Sequence, residues 1–187
     1  GIKGTDDNRI GEKRMVAAGV ITANQMKKAV IITAIITLFL ALALIYVAFG
    51  KENFALSLIF ILLGIGSIGA AIKYTVGSNA YGYNGLGDLF VFIFFGLVSV
   101  VGSNFLYTHF LDWKLFLPAS AIGLLSVAVL NLNNMRDIEN DKLAGKRTLV
   151  VKMGLKNAKI YQNALIIVSF ILMIAFLKIT KITLLPT

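Results

Sequence analysis

Residues 131–150 read N-L-N-N-M-R-D-I-E-N-D-K-L-A-G-K-R-T-L-V and concentrate the side chains of this chain that can do chemistry. Carried on as a helix, the stretch places Asn134, Asp137 and Asp141 at i, i+3 and i+7, on one face. Oxygen donors stacked this way suit a hard cation such as Mg²⁺, which takes one or two protein carboxylates and leaves positions for phosphate oxygens. Lys142, Lys146 and Arg147 add positive charge just beyond. The uncharged run 115–135 leads into the stretch and is long enough to cross a bilayer. Carboxylates, cations and a lipid-facing helix together point to metal-assisted handling of a diphosphate on a hydrophobic substrate. The plainer alternative is a solvated membrane-edge loop whose acids balance its bases.

The elements that must position these residues are helices in lipid. The chain has 187 residues, 58% hydrophobic and only 14% charged, with a mean hydropathy of +0.84; a soluble domain carries about a quarter charged residues. Five uncharged runs, 29–50, 53–72, 89–108, 115–135 and 160–177, each hold 18 residues or more, against roughly 20 for a spanning helix. The expected fold is all-α, a polytopic membrane bundle with five full spans. Residues 182–187 read as the start of a further apolar segment, and Gly1 is not an initiator methionine. A single transmembrane domain, incomplete at both ends, is therefore expected. There is no cysteine, so disulfides and thiolate sites are excluded.

The net charge of +9 would suit nucleic acid, but its distribution excludes that reading. With the spans alternating, 14 of the 18 basic residues fall on the side of the N-terminus, and Lys51, Lys114, Lys178 and Lys181 fall on the other. This asymmetry puts the N-terminal side in the cytoplasm. The acids Asp6, Asp7, Glu12, Asp88, Asp137, Glu139 and Asp141 lie on the same side, with Glu52 and Asp112 opposite. Basic excess there serves topology and anionic lipid, whereas the acids beside it mark a site.

Along the chain, Thr22 and Gln25 have the spacing of a capping box for a helix starting near Ala23. Gly64, Gly66 and Gly69 spell G-x-G-x-x-G inside an apolar run, without the strand that a dinucleotide site needs. Small residues at Gly66/Ala70 and Ser67/Ala71 predict close helix packing instead. Residues 73–88 form a loop dense in Gly, Tyr and Asn, followed by Phe90 and Phe94 on one helical face. That pair suits either the lining of a channel for an unsaturated chain or ordinary bundle packing. His109, the only histidine, falls on the exterior turn and reads as interfacial. A short echo links Asp7, Gly11, Lys13 and Arg14 to Asp141, Gly145, Lys146 and Arg147, as a duplicated half-site would.

The pattern N-x-x-R-D-x-x-x-D-x-x-x-G-K-R-T over residues 133–148 resembles the second aspartate-rich motif of the UbiA-type membrane prenyltransferases. Two more stretches are similar to the branch that prenylates 1,4-dihydroxy-2-naphthoate in menaquinone synthesis. They are Lys3, Gly4, Thr5 and Asp6 running into Arg9, and Tyr81, Gly82, Tyr83, Gly85, Leu86, Gly87 and Asp88 running into Phe90. The resemblance covers essentially the whole chain. It implies a bundle of about nine helices, with cytoplasmic loops closing a lipid-open cavity in which two aspartate-rich motifs bind Mg²⁺ and a polyprenyl diphosphate. The asparagine and leading aspartate of the first motif should precede Gly1, so only Asp6, Asp7 and the basic pair after them remain, and the fragment alone should be inactive.

The implied roles follow residue by residue. Asn134, Asp137 and Asp141, with Asn133 an equivalent choice, hold the metal-bound diphosphate, and Asp6 or Asp7 stands opposite. Arg14 and Lys73, then Lys146 and Arg147, meet phosphate oxygens. The metal and these cations neutralise the departing diphosphate, and a small aromatic acceptor attacks the allylic cation with loss of its ring carboxyl. A water-poor cavity protects that cation. The alternatives are another acceptor, such as 4-hydroxybenzoate, or an ion-coupled transporter. The D-G-x-x-A-R pattern of the CDP-alcohol phosphotransferases fails here, because Ile138 and Glu139 follow Asp137.

Overall fold

The computed structural model describes residues 15–51, 53–75 and 81–181, and all regular structure among them is helical. Helix α1 (Ala23–Phe49) opens on the expected capping box: Gln25 N–H donates to Thr22 Oγ1 and Thr22 N–H donates to Gln25 Oε1. Helix α2 is Phe54–Thr75, and a 3₁₀ turn, Tyr81–Tyr83, follows. The third span is built in three pieces, α3 (Gly87–Val91), a π-helical segment (Phe92–Val98) and α4 (Ser99–Thr108). Helix α5 is Phe116–Arg136, α6 is the short Ile138–Leu143, and α7 is Leu149–Thr180 with a non-helical break at Gly154. Five of these segments are long and apolar enough to cross a membrane, and they coincide with the five uncharged runs.

Packing is uneven. The most extensive helix pair is α5 with α7, and the π segment lies against α5. There the backbones almost touch: a Cβ at Gly96 would sit 2.6 Å from Gly123 Cα, and one at Gly123 would sit 2.8 Å from Phe92 Cδ2. Only glycine permits this approach, and it replaces apolar burial as the source of contact between helices in lipid. The expectation of close packing at Gly66 and its neighbours is not met. No described residue would lie within 4 Å of a Cβ at Gly64, Gly66 or Gly69, because α1, α2 and α4 splay around a cavity of about 1270 Å³. The cavity is lined almost wholly by apolar side chains such as Ile45, Ile59, Phe60 and Leu106.

The two ends of the bundle differ in kind. One carries an aromatic cluster, with Phe49 5.2 Å from Phe60 and 5.4 Å from the ring of His109, which ends α4 in a left-handed conformation. The other gathers Asp88, Asp137, Glu139 and Asp141, the tyrosines Tyr74, Tyr81 and Tyr83, and most of the described cations.

Candidate active site

The acidic stretch does not prolong α5 as a straight helix. Helix α5 ends at Arg136, and Asp137 takes φ −95° and ψ 10° before α6 begins. The cause is Ile138, which is buried with Val150 and Ala158 and so leans α6 onto α7. Hydrogen bonds of one turn still bridge the kink, from Asp137 N–H to Asn133 C=O at 3.0 Å and from Asp141 N–H to Asp137 C=O at 2.8 Å. Asp137 and Asp141 thus remain one turn apart, with Asn134 half-buried and Asn133 exposed beside them. Glu139 points away: its side chain is 76% exposed and pairs with Lys142, whereas that of Asp141 is 6% exposed.

Each acid has a cation at hand. Arg136 grips both oxygens of Asp137 at 2.8 and 2.9 Å on the surface, where solvent makes such a pair easy to exchange for a diphosphate. Gly145, at φ +69°, turns the chain back so that Lys146 reaches Asp141 at 2.7 Å. This second pair is largely shielded from solvent, so removing Lys146 would leave the buried Asp141 carboxylate without its counter-charge. The site therefore holds one labile carboxylate and one fixed carboxylate.

The glycine–tyrosine stretch docks on these residues. Arg147 N–H donates to Tyr83 C=O at 2.7 Å, and Lys152 Nζ donates to Asn84 C=O at 2.6 Å. Lys146 Nζ lies 5.4 Å from the centre of the Tyr83 ring. Tyr81 donates to Ala70 C=O at 2.6 Å, and burial pushes its phenol above the ordinary value, keeping it a neutral donor. Its ring stacks 4.0 Å from Phe90, and Phe90 stacks 6.2 Å from Phe94. Phe90 and Phe94 thus continue an aromatic ladder upward from the site and do not line the large cavity. Lys73 is exposed in the last turn of α2. Asp6, Asp7 and Arg14 lie outside the described residues, as does the proposed echo that contains them.

Residues 5–187 match the UbiA prenyltransferase family. This chain belongs to the UbiA prenyltransferase family. It is 48% identical over 176 residues to the 1,4-dihydroxy-2-naphthoate octaprenyltransferase of Escherichia coli (strain K12), covering 94% of this chain and 56% of that one. Identity to the protein of the same name from Haemophilus influenzae is 43% over 182 residues, covering 97% and 58%. A UbiA prenyltransferase domain-containing protein 1 from Dictyostelium discoideum is 39% identical over 98 residues, covering 51% and 30%. The chain thus spans a little over half the length of the two bacterial relatives. No solved structure matches it.

UbiA prenyltransferases are integral membrane enzymes that work with a divalent metal. The described residues of this UbiA chain fit such an ion in donor chemistry. Among them no group of three or more His, Cys, Asp or Glu assembles, so the set is two carboxylates with amide oxygens nearby, which is what Mg²⁺ accepts when phosphate completes its shell.

Several polar groups at the same end escape the pattern 133–148. Asp88 is 9% exposed, lies near Tyr161, and leaves Oδ2 without a partner among the described residues. Asn131, fully buried, donates to Ala158 C=O at 3.1 Å and to Gln162 Oε1 at 2.8 Å. A signal for both was present in the sequence: polar residues at the depth of an apolar span are costly and so mark either packing cross-links or sites.

Proposed function

We propose that this protein transfers a polyprenyl group from a polyprenyl diphosphate to 1,4-dihydroxy-2-naphthoate, giving demethylmenaquinol, the reduced form of demethylmenaquinone, with release of diphosphate and CO₂. The observation that carries this reading is the docking of Tyr83 and Asn84 on Arg147 and Lys152. It joins the glycine–tyrosine stretch, which resembles the naphthoate branch, to the acidic stretch that resembles the diphosphate site. The names of the bacterial relatives point the same way. A transporter has no support beyond the bare presence of acids in a membrane protein.

In this reading Asp137 and Asp141 hold Mg²⁺ against the diphosphate, assisted by Asn133 or Asn134, with Asp6 or Asp7 facing them. Bound Mg²⁺ would supply Lewis-acid neutralisation of the departing diphosphate. Arg136 would yield Asp137 to the bound ion, while Lys146 keeps its contact with Asp141 and offers fixed positive charge to phosphate oxygens. Arg14, Lys73 and Arg147 complete the cradle for phosphate oxygens. The allylic C–O bond breaks with both electrons leaving on the diphosphate. A C–C bond then forms at the ring carbon bearing the carboxylate, and that carboxylate departs as CO₂, leaving its bonding pair to restore the ring. Phe90 and Phe94 guide the first isoprene units, their faces offering stabilisation to cationic character. Residues 1–187 form part of one transmembrane domain in the bacterial plasma membrane, with the site on its cytoplasmic side.

The test is diphosphate release by the full-length protein supplied with a polyprenyl diphosphate, Mg²⁺ and a panel of hydroxyaromatic acids. Preference for 1,4-dihydroxy-2-naphthoate, lost on chelation, is expected; preference for 4-hydroxybenzoate moves the protein to another acceptor, and no release ends the proposal. Sidedness is checked separately. A cysteine at Asn140 should label from the cytoplasm and one at Asp112 from the opposite face, and labelling of both from one side overturns the orientation.

A further inference from the structure

Two acceptor oxygens are stranded at one junction of the bundle. Asp88 Oδ2 and Asn131 Oδ1 are the buried side-chain atoms without a hydrogen-bond partner among the described residues. They lie close in the fold: Leu130 Cδ2 would be 3.4 Å from a Cβ at Gly87, so the residues preceding each orphan are in contact. Tyr161, near Asp88, and Gln162, which meets Asn131, are consecutive on α7. The orientation of the Asn131 amide is forced, because its nitrogen already donates to two carbonyl oxygens and only the oxygen is left over. Stranded acceptors of this kind destabilise the fold when nothing meets them. A partner that donates hydrogen bonds would remove that cost.

The junction lies at the same end of the bundle as Asp137 and Asp141. Tyr74 packs against both Gly87 and Gly82, and the ring of Tyr83, next to Gly82, lies 5.4 Å from Lys146 Nζ, which holds Asp141. Gly87 also brings the backbone close to the Tyr74 hydroxyl, 3.7 Å from where its Cβ would be. A planar donor-bearing molecule held at Asp88 would therefore lie on the Asp141 side of the bundle, where the allylic carbon is delivered.

We infer that the unpartnered Oδ2 of Asp88 accepts a hydrogen bond from a phenolic hydroxyl of the aromatic acceptor and so determines its orientation and selection. The inference rests on the prenyl-transfer reading above. Phenols are the donors this geometry suits: a carboxylate oxygen accepting from a ring hydroxyl raises electron density at the ortho and para carbons, where the new C–C bond must form. A hydroxyl that fails to reach Asp88 leaves the carboxylate oxygen unmet, which is how a site discriminates strongly against analogues lacking a donor. A bound water is the competing occupant, and it would make the junction structural only.

The experiment uses the full-length protein in membranes and varies each substrate at saturation of the other. In Asp88→Asn the KM for the hydroxyaromatic acceptor should rise roughly tenfold or more, the cost of one good hydrogen bond, while the KM for the polyprenyl diphosphate holds. Discrimination between the acceptor and its methyl ether should shrink in parallel. Tyr161→Phe keeps the ring packing and should show the same split, more weakly; it decides the matter if Asp88→Asn fails to accumulate. Unchanged acceptor KM and unchanged ether discrimination in a variant that inserts and turns over would overturn the assignment in favour of water. Wild-type turnover with such a variant sinks this inference alone. If the wild type turns over no hydroxyaromatic acceptor, the prenyl-transfer reading and this inference fall together.

Discussion

Helices α1 and α2 and helices α5 and α7 are all apolar enough to span a bilayer, yet they are built on different plans. In α1 the only buried residue is Phe49, and the polar side chains turn back on their own helices, Thr33 onto Ala29 C=O and Ser67 onto Leu63 C=O. In α5 the buried set includes Ala119, Ala121, Gly123, Val127 and Asn131, and the one amide among them reaches across to α7. By composition α1 is the more hydrophobic of the two. Hydrophobicity thus decides that a helix enters lipid, and small residues with a few outward-reaching polar groups decide that it finds a partner there. The described acids of the candidate site, Asp137 and Asp141, lie where the second plan operates, at the packed end of α5 and α7.

That contrast can be broken most severely at the acids. Asp137→Ala and Asp141→Ala in the full-length enzyme should each lower turnover by about 10²–10³-fold or more, the scale of a lost preorganised electrostatic group, with membrane insertion intact. Asp141→Asn separates charge from folding, since it keeps an oxygen but offers a hard cation less. Glu139→Ala is the internal control and should stay near wild type, because its side chain faces solvent. Paired rate measurements at saturating Mg²⁺ decide this, and a Glu139→Ala loss as large as that of Asp141→Ala would remove the metal assignment.

Next in size are the glycines. Gly96→Ala and Gly123→Ala insert a methyl against backbone atoms under 3 Å away and should destabilise by about 1–3 kcal/mol. Gly66→Ala, in the splayed half, meets nothing and should be neutral or slightly stabilising through helix propensity. Thermal unfolding in detergent ranks the three, and an equal response at Gly66 would show that α1 and α2 pack as tightly as α5 and α7.

Asn131→Ala should cost less, about 0.6–1.7 kcal/mol for the interhelical bonds it makes. It is measured in the same way, with no effect expected on Thr22→Ala combined with it beyond additivity, because the two sites share no partner. The smallest effect belongs to the capping box itself. Thr22→Ala should cost about 1 kcal/mol or less, seen as earlier amide exchange in the first turn of α1 with turnover unchanged.

How much of this was legible beforehand depends on the range of the physics involved. The places of the five spans (the last of them begins eleven residues before its uncharged run, at Leu149), the capping box at Thr22 and Gln25 and the gathering of Asp88, Asp137, Glu139 and Asp141 at one end follow from neighbours within a turn or two of each other. Each is decided by transfer to lipid, by helical periodicity or by a local hydrogen bond, so the order of residues suffices. The prediction at Gly66 failed for an equally physical reason: small residues permit close approach, but they do not choose the partner.

What only the tertiary structure decided are contacts between distant parts of the chain. Asn131 meets Ala158 and Gln162 across 27 and 31 residues, and Lys152 meets Asn84 across 68. Burial of Ile138 against Val150 and Ala158 bends the acidic stretch at Asp137, which the spacing of Asn134, Asp137 and Asp141 could not disclose. The pairing of Asp141 with Lys146, and the stranding of Asp88 Oδ2, likewise depend on how α3, α5, α6 and α7 close on one another. Composition determines which segments leave water for lipid one residue at a time. The faces that meet are settled by the sum of many weak contacts over the whole bundle, and no local stretch of sequence contains that sum.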